Sequence, residues 1–185
     1  MPYLYTTAEE TSRDGLPIVR PLFLEFPHAT SDQRPLDLDA TGEFFFGPSI
    51  LVAASPSPEE VAPYEVHLPP GVWYDYWTGE KLERRGIIAA RDFEIPDAAN
   101  AGLKPLVVTP KLGELPVYVR EGSILPIAPL VQSTVEKPVG PLTLRVFPGD
   151  NCEGSVYQDD GEPTTFARAL TFANTLPAPS PPMAP

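Results

Sequence analysis

The chain has 185 residues with 26 prolines, 13 glycines, a single cysteine and a formal net charge of -12, room for one or two modest domains, each with a core of its own. So acidic a surface excludes nucleic acid and anionic membrane as partners, because neither gains from approaching it, and it leaves neutral partners such as carbohydrate open. The density of proline and glycine disfavours long helices, Cys152 has no mate for an internal disulfide, and no uninterrupted apolar run approaches the roughly 20 residues of a membrane span.

In chain order, Met1 to Gly15 reads as the second half of a helix. Ala8, Glu9, Glu10 and Arg13 are ordinary helix formers, Gly15 supplies the stop and Pro17 blocks continuation. Tyr3, Leu4, Thr7 and Ala8 form a stripe at helical spacing, and the surface that covers it is expected outside this chain. The opening lacks the basic and then apolar pattern of a secretory leader, and the compartment is not legible. Leu16 to Phe26, LPIVRPLFLEF, predicts a strand buried on both faces, in which Arg20 and Glu25 need charged partners. Helix then buried strand is the alternation of an α/β layer.

Pro27 to Gly42 is a polar loop holding His28, Asp32, Asp37 and Asp39. Spacing alone fixes no coordination geometry and loops collect Asp for turns, so no metal is expected there. Phe44-Phe45-Phe46-Gly47 leads into a second buried strand at Ile50 to Ala54. Beyond Ser55 nothing looks helical. Short strands are predicted at Tyr64 to Leu68, Val72 to Trp77, Gly86 to Ala90, Pro105 to Thr109, Pro116 to Val119, Ile124 to Ile127, Leu142 to Phe147 and Ser155 to Gln158. Regular short strands separated by turn residues make an antiparallel β-sandwich.

Within that series GVWYDYWTGE, Gly71 to Glu80, stands out for four aromatic residues in five positions. Pro69 and Pro70 bar regular structure just before it, and Thr78-Gly79 supplies a hairpin reversal. Alternation puts Trp73, Asp75 and Trp77 on one face and Tyr74 and Tyr76 on the other. Trp73 and Trp77 are the candidate substrate-binding residues, since aromatic planes suit the apolar faces of sugars; the competing reading has them fill the sandwich core. Asp159-Asp160-Gly161-Glu162, with Asp150 and Glu153 nearby, lacks the spacing of a calcium loop and reads as a hairpin turn. Arg120 and Glu121 flank the Gly122 turn and are expected in solvent. Cys152 stands among acidic neighbours that raise a thiol pKa, which argues against a nucleophile. No cofactor is expected.

Several of these stretches together resemble glycoside hydrolase family 31. Residues 2–27, PYLYTTAEETSRDGLPIVRPLFLEFP, look like the segment that leaves the seventh helix of the catalytic barrel and forms its eighth strand. GEFFFGPSILVAA, Gly42 to Ala54, resembles the exit from the barrel into the proximal C-terminal β-domain. LPPGVWYDYWTGE and LPVYVREGSILPI match two recognisable C-terminal signatures in the expected order, and GDNCEGSVYQDDG, Gly149 to Gly161, is similar to the start of the distal β-domain.

The resemblance implies a mainly β fold, an antiparallel β-sandwich preceded by a helix and strand left over from a (β/α)8 barrel. Residues 1–46 would be the last part of the barrel, 47–130 the proximal β-sandwich and 131–170 the start of an incomplete distal β-domain; by its composition 171–185 is expected to be a disordered proline-rich tail. Family members are largely retaining α-glycosidases, α-glucosidases and α-xylosidases among them. Their mechanism needs two carboxylates roughly 5 Å apart, both supplied by earlier barrel strands, so this chain is expected to carry no catalytic residue. Gly149-Asp150-Asn151 spells a tripeptide that surrounds the family's acid/base aspartate, but here it lies beyond the proximal β-domain and reads as a turn. The partners implied are α-linked glycosides, through a parent enzyme, and the missing barrel, within one polypeptide or as a subunit. The alternatives are a stand-alone carbohydrate-binding β-sandwich module and a structural subunit completing a separately encoded barrel.

Overall fold

The computed structural model describes residues 2–27, 30–31, 34–35, 42–55, 62–84, 105–109, 111, 113–133, 136, 140–159 and 168–175. It is mainly β, with antiparallel sheets and a helix at the N-terminus. Two compact units form: one is Gly15–Arg120, the other joins Met1–Asp14 to Glu121–Pro185.

The first unit is built on a six-stranded sheet. Its strands are β1 (Val19–Arg20), β4 (Glu43–Phe46), β5 (Ile50–Ala53), β7 (Gly71–Asp75), β8 (Lys81–Arg84) and β10 (Val117–Arg120), arranged in the order β1-β4-β5-β10-β7-β8. Alternation sends Phe45, Leu51, Ala53, Trp73 and Tyr118 to one face. The register explains why they meet, since Phe45 lies opposite Leu51 and Leu51 opposite Tyr118. Against that face packs a small antiparallel pair, β6 (Tyr64–Val66) and β9 (Leu106–Val108), which contributes Val66, Tyr64, Leu106 and Val108. Two layers over one apolar core are a β-sandwich. A further short pair, β2 (Thr30–Ser31) and β3 (Arg34–Pro35), lies in the predicted polar loop.

Leu16 to Phe26 is not a continuous buried strand. Pro17 and Pro21 interrupt it, and a proline offers no amide to a ladder. Only Val19 and Arg20 pair, with Phe46 and Phe45 at the sheet edge. Pro21 then takes an extended conformation and leads into the one-turn helix α2 (Leu22–Glu25). Leu22 and Phe26 turn into the core, whereas Leu16, Val19, Phe23 and Leu24 remain exposed. The strands predicted from residue 64 to residue 127 are present, each within a few residues of its expected bounds, apart from Gly86 to Ala90, which lies outside the described residues. β7 stops at Asp75, two residues before its predicted end, because the Asp75 side chain captures the turn.

The second unit holds β11 (Ser123–Ile127), β12 (Thr143–Phe147), β13 (Asn151–Gln158) and β14 (Arg168–Thr175) in the order β12-β11-β13-β14. All pairs are antiparallel except a brief parallel contact of β11 with β13, Ser123 opposite Glu153. β14 runs along the whole of β13, so residues 171–175 belong to a strand rather than to the proline-rich tail. Gly122 has φ +74, and a Cβ there would meet the Asn151 carbonyl oxygen at 2.3 Å. Only glycine suits both demands.

Helix α1 (Pro2–Asp14) ends at Gly15, φ +77, as predicted. Its cover, however, is inside this chain. Thr6 and Thr7 are buried, the Tyr157 amide donates to Thr6 Oγ1 at 2.9 Å, and Ser155 Oγ donates to Glu10 Oε1 at 3.1 Å. Tyr5 packs against the Tyr157 ring and donates its hydroxyl to Asp159, a bond that pushes the Tyr5 pKa up to about 12. Cys152 is buried within β13 rather than in a loop, with its thiol directed at the Gly149 carbonyl.

Candidate functional site

The two candidate tryptophans are separated by the end of β7. Trp73 is fully buried, its Nε1–H donates to the Pro69 carbonyl at 2.8 Å, and its ring packs against Phe26 and Phe45 at centroid distances of 6.1 and 5.9 Å. The Pro69-Pro70 pair just before the strand therefore supplies the acceptor that holds the indole in the core.

Trp77 lies in the reversal between β7 and β8 and is 53 % exposed. Asp75 builds that reversal. Its Oδ1 accepts from the Trp77 amide at 2.9 Å, the Thr78 amide at 2.7 Å and the Thr78 hydroxyl at 2.9 Å, the Asx-turn pattern in which a short carboxylate replaces a backbone acceptor. The Trp77 Nε1–H donates to the Leu115 carbonyl at 2.8 Å, and Tyr76 meets the indole edge-on with centroids 5.0 Å apart. One edge of the indole is thus anchored while a face stays open.

Beside this ring is a depression of about 160 Å³ at the end of the sandwich. Tyr118 and Val108 come from the two layers. Asp75, Trp77 and Thr78 form one wall, and Thr109, Lys111 and Glu114 to Pro116 the other. Burial, reinforced by the nearby Asp75 carboxylate, pushes the Tyr118 hydroxyl up to about 12, so it stays protonated at neutral pH and able to donate. Lys111 and Glu114 pair at 3.5 Å on the rim. Sequence reasoning singled out Trp77 and missed Lys111, Glu114 and Tyr118. Nothing in their spacing brings them to Trp77; the β10–β7 pairing does, setting Tyr118 opposite Asp75.

A second cluster lies by the short β1–α2 segment. Arg20, 4 % exposed, donates through Nη1 to Glu25 Oε1 at 2.5 Å and through Nε to the Pro17 carbonyl at 2.8 Å. Each of the two charges predicted to need a partner finds it in the other. Arg120 is not simply solvated, since its guanidinium lies 4.9 Å from the Phe26 ring centroid and 4.0 Å from Glu25. Among the described residues no group of three or more His, Cys, Asp or Glu is placed to hold a metal ion. His28, Asp32, Asp37, Asp39, Asp160 and Glu162 lie outside the described residues.

Comparison with known proteins supplies the family. An α-xylosidase of Saccharolobus solfataricus is 34% identical over 162 residues, covering 87% of this chain and 19% of the relative. Alpha-glucosidase 2 of Bacillus thermoamyloliquefaciens is 27% identical over 170 residues, covering 91% of this chain and 18% of the relative. Among solved structures, the Flavobacterium johnsoniae GH31 dextranase complexed with glucose matches with a TM-score of 0.70 and 31% identity, covering 92% of this chain and 19% of that one. The chain therefore spans less than a fifth of the length of these relatives. The family model for the glycosyl hydrolase family 31 C-terminal domain matches residues 15–125, more than half of the sequence, and the chain belongs to glycosyl hydrolase family 31 through this C-terminal β-domain.

Proposed function

We propose that the chain serves as the C-terminal β-portion of a retaining α-glycosidase, bracing a catalytic (β/α)8 barrel that carries the acid/base and nucleophile. In this reading the stretch within residues 1–46 is where the chain leaves the barrel, with β1 and β4 already entering the sheet of the proximal β-sandwich that continues through 47–130, and the residues from 131 onward begin a distal β-domain. The observation that carries it is the uncovered edge at β1 and α2. Val19 and Phe23 are 53 % and 45 % exposed, Leu16 and Leu24 are exposed beside them, and among the described residues β1 ends the sheet. An open strand edge flanked by large apolar side chains asks for a neighbour that supplies both backbone partners and apolar cover, which adjoining barrel elements do. The buried Arg20–Glu25 pair fixes that edge from beneath.

The relatives' names, α-xylosidase and α-glucosidase, point to α-linked glucosides or xylosides as the parent's substrates. Immunoblotting of the source organism with an antibody to this chain tests the reading. The expected band is several times heavier than 20.1 kDa and copurifies with activity on 4-nitrophenyl α-glucoside or α-xyloside. A 20 kDa species that copurifies with a separate barrel polypeptide would indicate a structural subunit. A 20 kDa species without any such partner or activity would overturn the proposal.

A further inference from the structure

We propose that the depression beside Trp77 is a surface subsite for one residue of a neutral oligosaccharide. Three features carry it. The exposed ring is held rigidly, through Nε1 to Leu115 and edge-on to Tyr76, so stacking costs little side-chain entropy. The Leu115 bond and the Asp75 turn account for the tryptophan's backbone and its indole N–H, but not for the face left in solvent. Polar residues of both kinds line the depression beside that ring: Thr109, Lys111, Tyr118, Asp75 and Glu114. Apolar plane plus mixed donors and acceptors is what a pyranose presents in complement, with C–H groups on one face and hydroxyls around its rim.

Size and charge narrow the ligand. About 160 Å³ is well below the several hundred Å³ of a drug-sized pocket and admits a single sugar ring rather than a buried chain. The chain's net charge of -12 disfavours sulfated or uronic sugars. Affinity rests on one stacking contact and a few exchangeable hydrogen bonds, so a dissociation constant on the order of 1 mM is expected. Such a site holds a neighbouring part of a polymeric substrate without doing chemistry on it. The choice of α-glucan probes rests on the function proposed above, whereas the binding itself does not.

The test is a titration of the 15N-labelled full-length chain with maltotriose and isomaltotriose up to about 50 mM, followed by its amide and indole resonances. The expected result is a saturable shift of Trp77, Thr78 and Thr109 with the Trp73 indole unmoved. Trp77→Ala should weaken binding about tenfold or more, and Trp77→Phe should retain part of it. Thr109→Arg, at an exposed position, should block the site by bulk while leaving the unbound spectrum intact, which controls for misfolding of the Trp77 variants. Absence of any saturable shift, or shifts that persist unchanged in both Trp77→Ala and Thr109→Arg, would overturn the proposal. Because no barrel is needed for the measurement, its failure leaves the bracing role untouched.

Discussion

Replacing Glu25 by Ala should be among the most damaging single changes to the first unit. The substitution removes the carboxylate facing Arg20, whose side chain is 5% exposed and whose Nη1 lies 2.5 Å from Glu25 Oε1. An uncompensated buried guanidinium costs about 3–5 kcal/mol, a large share of the roughly 5–15 kcal/mol that holds an ordinary domain together. Arg120 offers no relief, since it carries the same sign of charge and approaches Glu25 only to 4.0 Å. With a urea slope of about 2 kcal/mol/M, a loss of about 4 kcal/mol moves the unfolding midpoint down by about 2 M. The assay is urea unfolding of the 185-residue chain followed by tryptophan emission, which reports chiefly on Trp73 leaving the core. A double variant, Arg20→Met with Glu25→Leu, removes both charges and should recover most of the loss, short of about 1 kcal/mol for the bond to the Pro17 carbonyl. A midpoint shift below about 0.5 M for Glu25→Ala alone would refute the reasoning, because the pair would then be hydrated rather than buried.

Trp73→Phe should destabilise the sandwich by about 2–4 kcal/mol, from lost ring volume and an orphaned Pro69 carbonyl, whereas Trp77→Ala, in an exposed turn, should cost about 1 kcal/mol; thermal melts of the two variants compare them. Gly122→Ala forces a side chain onto φ +74 and into the Asn151 carbonyl, and a loss of about 2–3 kcal/mol should appear as faster hydrogen exchange at Glu153, whose amide donates to the Gly122 carbonyl. Tyr118 should titrate near pH 12 rather than 10 by its phenolate absorbance, an ionisation absent from Tyr118→Phe. Between pH 10 and 12 the unfolded chain ionises while the folded one does not, so this group lowers stability as pH rises through that window and leaves it unchanged below.

What the sequence disclosed and what it hid divide along a physical line. Local alternation and turn chemistry were legible: the Gly15 stop, the Thr78-Gly79 reversal and the run of short strands all follow from neighbours in sequence. Partnerships that depend on a local break or on strand pairing were not. Arg20 with Glu25 read as two unpaired charges because the segment looked like a strand, in which odd spacing sends side chains to opposite faces. The break imposed by Pro21 and the single turn of α2 brings them together instead. β8 and β14 carry too few β-branched or aromatic residues to announce themselves, and they form because β7 and β13 offer open edges. At the candidate site, Trp77 drew notice as an aromatic, but Tyr118 and Lys111 reach it only through the sheet register and the loop before β10.

The union of α1 with β13 sets an order on the birth of the protein. The helix leaves the ribosome ahead of the strands described here, yet the amide that meets Thr6 belongs to Tyr157 and the strand that completes that sheet ends at Thr175. At roughly 5–20 residues per second, on the order of 10–30 s separate the two during synthesis. A 13-residue helix is marginal in water by itself, so α1 stays unsupported until β13 emerges, whereas the residues of Gly15–Arg120 are by then already out of the ribosome. A translational pause or premature termination before residue 150 therefore leaves Thr6 and Thr7 without the strand that buries them, a form exposed to proteases and holding chaperones.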